Sequence, residues 1–244
     1  MPVIEIRPKR PLPRPNQAAV ESRLAVASEE RAQFRRALLH WYCRNARRFP
    51  WRETENPFQI LLSEVLLQRT QACQVRDNYE RIAAAFPTPH ALAAASLDDL
   101  QNALRSLGLA KRAATLQMMG RELVTRFDGA VPASLEDLMG LPGVGRYVAA
   151  ATACFGTGAR VAMLDANFVR VFSRYFGVVS RKKRARDDLA LWRLAKSLLP
   201  RKNAQDYNRA LIDFAAVVCK PRAPACPDCP LRQRCQAVSA RIGR

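Results

Sequence analysis

The sequence predicts an all-α protein. Apolar residues in FQILLSEVLLQ recur at Leu61 and Val65 and at Leu62 and Leu66, which is helical spacing. Runs of this kind follow one another along the chain, punctuated by prolines and glycines, and strand signals are almost absent. At 244 residues, 49% of them hydrophobic, the chain can bury one sizeable core or two small ones.

The opening MPVIEIRPKRPLPRPNQ carries five prolines and reads as an extended or disordered basic tail over residues 1–20. From Glu21 to Cys43 the pattern is helical, until prolines at Pro50 and Pro57 in FPWRETENP interrupt it. Helices are then expected over Phe58–Arg69, Ala72–Phe86, Pro89–Ala95, Leu97–Ser106, Ala110–Phe127 and Leu135–Gly140. The second half continues with Tyr147–Phe155, Asn167–Phe176, Asp187–Leu199 and Asp206–Cys219, and no repeat of solenoid period appears.

Lys and Arg outnumber Asp and Glu by 40 to 21, a formal charge of +19 that exceeds what solubility requires. A polyanionic partner is implied, and nucleic acid leads membrane surface because no lipidation signal or long apolar anchor accompanies the charge. No run of 18 apolar residues and no signal-peptide core is present, so the expected location is the cytoplasm. RKKRAR, residues 181–186, reads either as a solvated loop or as added affinity for a nucleic-acid backbone.

Four motifs carry chemistry. In LEDLMGLPGVGRYVAAATACFG a short helix reaches Gly140, the hairpin LPGVG follows, and a second helix begins near Arg146. Gly143 and Gly145 flank Val144 and let the backbone approach a ligand with amides turned toward it, so a hairpin gripping a DNA backbone is favoured over an ordinary tight αα-turn. Asp165 precedes a helix with the apolar face Phe168, Val169, Phe172 and Phe176. A carboxylate there can cap the helix and also point into a cleft, still ionised. Glu64 interrupts an otherwise largely buried helix, and an acid there costs free energy unless paired or used. Finally, Cys219, Cys226, Cys229 and Cys235 fall at gaps of six, two and five residues, apart from the isolated Cys43, Cys73 and Cys154. Four soft thiolates suit either a tetrahedral zinc ion or an iron–sulfur cluster.

The hairpin, Asp165 some twenty residues beyond it, and the C-x6-C-x2-C-x5-C terminus together resemble the helix-hairpin-helix base-excision DNA glycosylases, from about Phe34 to Cys235. That resemblance implies a [4Fe–4S] cluster on Cys219, Cys226, Cys229 and Cys235. It also implies a DNA-binding cleft between two helical subdomains, a cluster domain of residues 21–56 plus 164–244 and a helix-hairpin-helix domain of residues 57–163. The partner is then double-stranded DNA holding a mismatched or damaged base, bound by a monomer, on the nucleoid in a bacterium.

Bifunctional members of that family carry a lysine two residues past the last hairpin glycine, where this chain has Tyr147. A phenol forms no Schiff base with the sugar, so the lyase step is expected to be missing. The stretch PWRETENPFQILLSEVLLQRTQ resembles the start of the mismatch-specific branch and places Glu64 at its catalytic glutamate. By the same resemblance Asp165 stabilises the sugar cation, Tyr147 lines the base pocket, Gln68 or Arg69 fills the gap left by the flipped base, and Leu109 wedges beside the opposite base.

The choice of base is thymine, or uracil, opposite guanine. This chain has GLAKR from Gly108 and DAN from Asp165, whereas the adenine-mismatch members usually read GYYAR and DGN. They also usually carry an extra C-terminal domain, whereas nine residues follow Cys235 here. The competing readings are removal of adenine opposite guanine or 8-oxoguanine, and a DNA-binding iron–sulfur protein without catalysis. Retention of both Glu64 and Asp165 beside the hairpin argues against the latter.

Overall fold

The computed structural model describes residues 26–180 and 182–242. The expected tail over residues 1–20, the start of the first expected helix and Arg181 lie outside them. The described residues are helical without strands.

The first helix, α1 (Ser28–Asn45), is followed by a 3-10 turn over Pro50–Arg52. Helix α2 (Pro57–Leu66) starts where Asn56 Oδ1 accepts the backbone N–H groups of Phe58 and Gln59 at 2.9 and 3.4 Å, with Pro57 in the first turn, where a missing N–H costs nothing. It stops three residues short of the predicted end because Arg69 takes a left-handed conformation, φ 62°, which no α-helix accommodates. Helices α3 (Ala72–Ala85), α4 (Pro89–Ala94) and α5 (Leu97–Arg105) follow. Ser96 caps α5 reciprocally, its Oγ accepting from Asp99 N at 3.0 Å and donating to Asp99 Oδ2 at 2.7 Å.

The helix predicted from Ala110 splits into a 3-10 turn (Ala110–Arg112) and α6 (Ala113–Phe127). Helix α6 presses on α4 at Gly120, where a Cβ would stand 2.8 Å from the backbone nitrogen of Ala93, so only glycine allows the approach. Then come α7 (Leu135–Gly140), the hairpin, α8 (Arg146–Thr157), α9 (Ala166–Phe176), α10 (Leu189–Leu198), α11 (Ala204–Val217) and α12 (Gln236–Ile242), the last not anticipated from the sequence. Helix α10 begins later than predicted because Asp188 is its cap, accepting from Ala190 N at 2.9 Å.

Two hydrophobic clusters organise these helices. One gathers Phe34 and Leu38 of α1 with Phe168 and Phe172 of α9 and buried residues of α10 and α11. The other gathers α2 to α7 with Phe49 and Trp51, whose rings stack at 4.6 Å. Helix α8 serves both, giving Ala150, Ala151 and Cys154 to the first and Val148, Ala149 and Ala153 to the second. Tyr147 and Val161 pack against both clusters.

Candidate active site and cysteine cluster

A cleft of about 1050 Å³ opens beside α8, and Glu64, Tyr147, Asp165, Gln68, Arg69, Gly143 and Gly145 all line it. Chain segments a hundred residues apart thus converge on one volume.

Glu64 sits on α2 and is only 7% exposed. Burial in apolar surroundings pushes its pKa up to about 7, with Arg52 and Arg209 pulling down and Asp165 pushing up. No hydrogen bond or ion pair to Glu64 forms among the described residues, so its proton is held by desolvation rather than by a partner.

Asp165 is the cap of α9. Its Oδ1 accepts from the backbone N–H groups of Asn167 and Phe168, both at 2.8 Å, while Oδ2 accepts from Asn167 Nδ2 at 2.6 Å. Burial raises its pKa, and these three donors work against that rise by favouring the charged form. The capping and cleft-facing readings of Asp165 therefore hold together. Tyr147, in the first turn of α8, has its phenol pushed well above the usual range by burial and by the Glu64 and Asp165 carboxyls.

In the hairpin, Gly143 has φ 78° and Val144 is buried as the anchor of the turn. The exposed Gly145 caps α8 without a side chain. Gln68 Nε2 donates to the carbonyl of Gly143 at 2.9 Å, joining the end of α2 to this turn. Arg69 is exposed beside it. A non-glycine residue held at positive φ on a cleft lip is the kind of local strain that functional sites retain. Leu109, by contrast, is 8% exposed, packs in the second cluster and does not line the cleft.

The sequence reading missed the cationic floor. Asp213, fully buried on α11, accepts a bidentate pair from Arg52 at 2.8 and 2.8 Å, and also Arg47 N at 2.9 Å and Arg47 Nε at 2.7 Å. Burial alone would raise the Asp213 pKa, but the two arginines overcome it and hold the carboxyl below its ordinary value. Arg47, Arg52 and Arg209 all line the cleft, and Arg209 lies over the Phe155 ring at 5.2 Å. The sequence did hold a signal, since Asp213 interrupts the apolar run ALIDFAAVV just as Glu64 interrupts its own. At the rim, the Arg146 guanidinium stacks on Trp192 at 3.8 Å, and Trp192 Nε1 donates to Arg186 O at 2.8 Å, fixing the end of the basic loop beside the cleft.

The four clustered cysteines fall between the end of α11 and the start of α12. Cys219 closes the end of α11, and its carbonyl accepts from Arg170 Nε at 2.8 Å. Arg170 Nη1 in turn donates to Asn167 Oδ1 at 2.9 Å, so the cysteine end and the Asp165 cap share a hydrogen-bonded bridge. Burial pushes the Cys229 thiol up to about 11, with Cys235, Cys219 and Cys226 adding to the rise, which puts all four within electrostatic reach of one another. Arg174 Nη1 lies 3.5 Å from Cys219 Sγ. Among the described residues no group of three or more His, Cys, Asp or Glu is arranged to hold a metal ion. Neither is any helix long and apolar enough to cross a membrane.

Comparison with known proteins extends these observations. Residues 62–202 match the family model described as HhH-GPD superfamily base excision DNA repair protein. The chain is 35% identical over 211 residues to the thymine/uracil-DNA glycosylase of Methanothermobacter thermautotrophicus, across 86% of this chain and 95% of that one. It is 34% identical over 220 residues to the adenine DNA glycosylase of Rattus norvegicus, across 86% of this chain but 42% of that one. The solved structure of a thermostable thymine-DNA glycosylase superposes with a TM-score of 0.82 at 34% identity, covering 87% of this chain and 98% of that chain.

Proposed function

The chain belongs to the HhH-GPD superfamily of base excision DNA repair proteins, and from that premise we propose that it is a monofunctional DNA glycosylase removing thymine or uracil opposite guanine from duplex DNA. The observation that carries this reading is the convergence of two unlike carboxyls, Glu64 and Asp165, on one cleft beside a glycine hairpin.

Cleavage of an N-glycosidic bond leaves positive charge on the sugar and negative charge on the departing base. Asp165, donated to by three N–H groups, supplies the anion facing the sugar. Glu64, holding its proton to about pH 7, supplies that proton to the base as the bond to the sugar breaks. Water then adds to the sugar carbon and loses a proton, leaving free base and an abasic site. Tyr147 closes the pocket and offers no amine, so no Schiff base forms and the strand stays intact.

The hairpin of Gly143, Val144 and Gly145 grips the backbone through its glycine amides, the Val144 amide being held by the Leu141 carbonyl at 3.1 Å, while Gln68 and Arg69 fill the space vacated by the flipped base. Leu109 would reach a base only by leaving its packing in the second cluster. The division proposed is a cluster domain of residues 21–56 plus 164–244 and a hairpin domain of residues 57–163; among the described residues α8 feeds both cores, and Phe49 and Trp51 pack with the second.

The neighbouring thiols add to the rise in pKa that burial gives Cys229 and Cys235, a repulsion that a common cationic group would relieve, and in a chain of this family the 6-2-5 spacing supports a [4Fe–4S] cluster on Cys219, Cys226, Cys229 and Cys235. Bound there, such a group ties the loop to the end of α11 as a crosslink. Acting on chromosomal DNA, the enzyme would work in the cytoplasm.

The test is a panel of defined duplexes treated with enzyme and then alkali. Alkali-dependent cleavage at T or U opposite G, with T opposite A untouched, is the expected result. Intact T·G and U·G duplexes alongside excision of A opposite G or 8-oxoguanine would replace this reading with the adenine one.

A further inference from the structure

Two buried carboxyls lie in the field of one guanidinium, and only one of them holds it. Asp213 takes Arg52 with both oxygens at 2.8 Å, and Arg52 Nη1 is further fixed by the carbonyl of Arg47 at 2.8 Å. Glu64, which lines the same cleft as Arg52 and lies within its field, is left without a hydrogen-bond or ion-pair partner among the described residues. We propose that Asp213 is a positioning residue: by clamping Arg52 it keeps this cation from pairing with Glu64, so that Glu64 stays free to carry a proton into the cleft. The inference rests on the reading of Glu64 as proton donor and adds the device that keeps it one.

The argument is competition. A guanidinium offers a planar fork that matches one carboxylate well, and a bidentate pair is stronger than a single contact. Asp213 is also reached by Arg47 through a backbone and a side-chain N–H, which keeps it ionised and therefore the better ligand. If Asp213 lost its charge, Arg52 would be a buried cation in need of an anion, and Glu64 lies within its field. An ion pair there would favour ionised Glu64 and remove the proton needed by the leaving base. The other groups acting on Glu64 are Asp165 at the start of α9 and Arg209 on α11, and Glu64 in turn raises the Tyr147 phenol and the Cys154 thiol on α8. None of these is hydrogen-bonded to Asp213, and neither Asp213 nor Arg47 is among the groups that shift Glu64, so the effect of Asp213 is expected to pass through Arg52.

The test follows the Glu64 carboxyl directly by ¹³C-glutamate NMR titration of the full chain, with Glu64→Gln identifying its resonance. Asp213→Asn is expected to lower the Glu64 pKa by about one unit or more. Arg52→Gln, which leaves Asp213 paired to Arg47, is expected to raise it. The double variant should match Arg52→Gln alone. An unmoved Glu64 titration in Asp213→Asn, or an equal drop with Arg52 already replaced, overturns the clamp. Should Asp213→Asn alone not fold, a double variant that differs from Arg52→Gln overturns it, and one that matches supports it. Single-turnover excision measured on the same variants separates the two claims. Glu64 moving as expected while the pH dependence of excision stays put upholds the clamp and sinks the proton-donor role instead.

Discussion

Gln68 donates its side-chain amide to the backbone carbonyl of Gly143 at 2.9 Å, so the end of α2 and the glycine hairpin are held as one unit. The residue proposed to enter the DNA stack is thus anchored, before DNA arrives, to the turn proposed to grip the backbone. Releasing Gln68 for insertion frees the Gly143 carbonyl on the exposed face of the hairpin, where water can replace the amide. Gln68→Ala should cost about 1 kcal/mol of stability, read as a drop of a few degrees in Tm, and should weaken excision more than binding to undamaged duplex.

Asp165→Asn keeps an acceptor for the first turn of α9 but withdraws the negative charge. We expect near-parental folding and DNA binding with excision lowered by roughly 10²- to 10³-fold, measured under single turnover. Parental excision rates would leave Asp165 as a helix cap alone.

Glu64 sets the pH response. Its folded-state pKa of about 7 exceeds the ordinary 4.5, so between these values the folded chain binds more protons than the unfolded one and stability falls as pH rises. Glu64→Gln should therefore unfold like the parent near pH 5 and be more stable at pH 8, by on the order of 3 kcal/mol in denaturant melts. Parental excision should decline above about pH 7, where Glu64 loses its proton.

Replacing Cys229 by Ser should abolish the brown absorbance and the roughly four irons per chain expected of the purified parent. Colourless parent protein with stoichiometric zinc would overturn the cluster. Because the cysteine loop is tied to α9 by Arg170 and Arg174, the Ser variant should also melt earlier.

Borohydride added during turnover should trap no covalent DNA complex, since Tyr147 stands where an amine would be needed. An efficiently trapped adduct, mapped by mass spectrometry, would identify another nucleophile.

The helical class and most of the site were legible because their signals are local. Periodicity marked the helices, Asp165 announced itself as a cap, and Glu64 stood out as an acid among apolar neighbours. Ends were misread where a single residue's backbone decides, as at Arg69, whose left-handed φ stops α2 short. The Arg47–Arg52–Asp213 group escaped because Asp213 lies more than 160 positions from both arginines, and nothing in either segment says which carboxyl an arginine will choose. Leu109 was placed by motif position, yet its packing in the second cluster depends on the neighbours that surround it.

Tyr147 and Val161 are shared by both hydrophobic clusters, and α8 feeds each of them. Widening the cleft would mean extracting these side chains from two close-packed interiors at once, which such interiors resist. The cleft is therefore expected to hold its shape, so that the deformation needed for engagement falls on the DNA. Base pairs that unstack and bend cheaply, as a mismatch does, are then admitted faster than their well-paired neighbours, before any contact to the base itself is made.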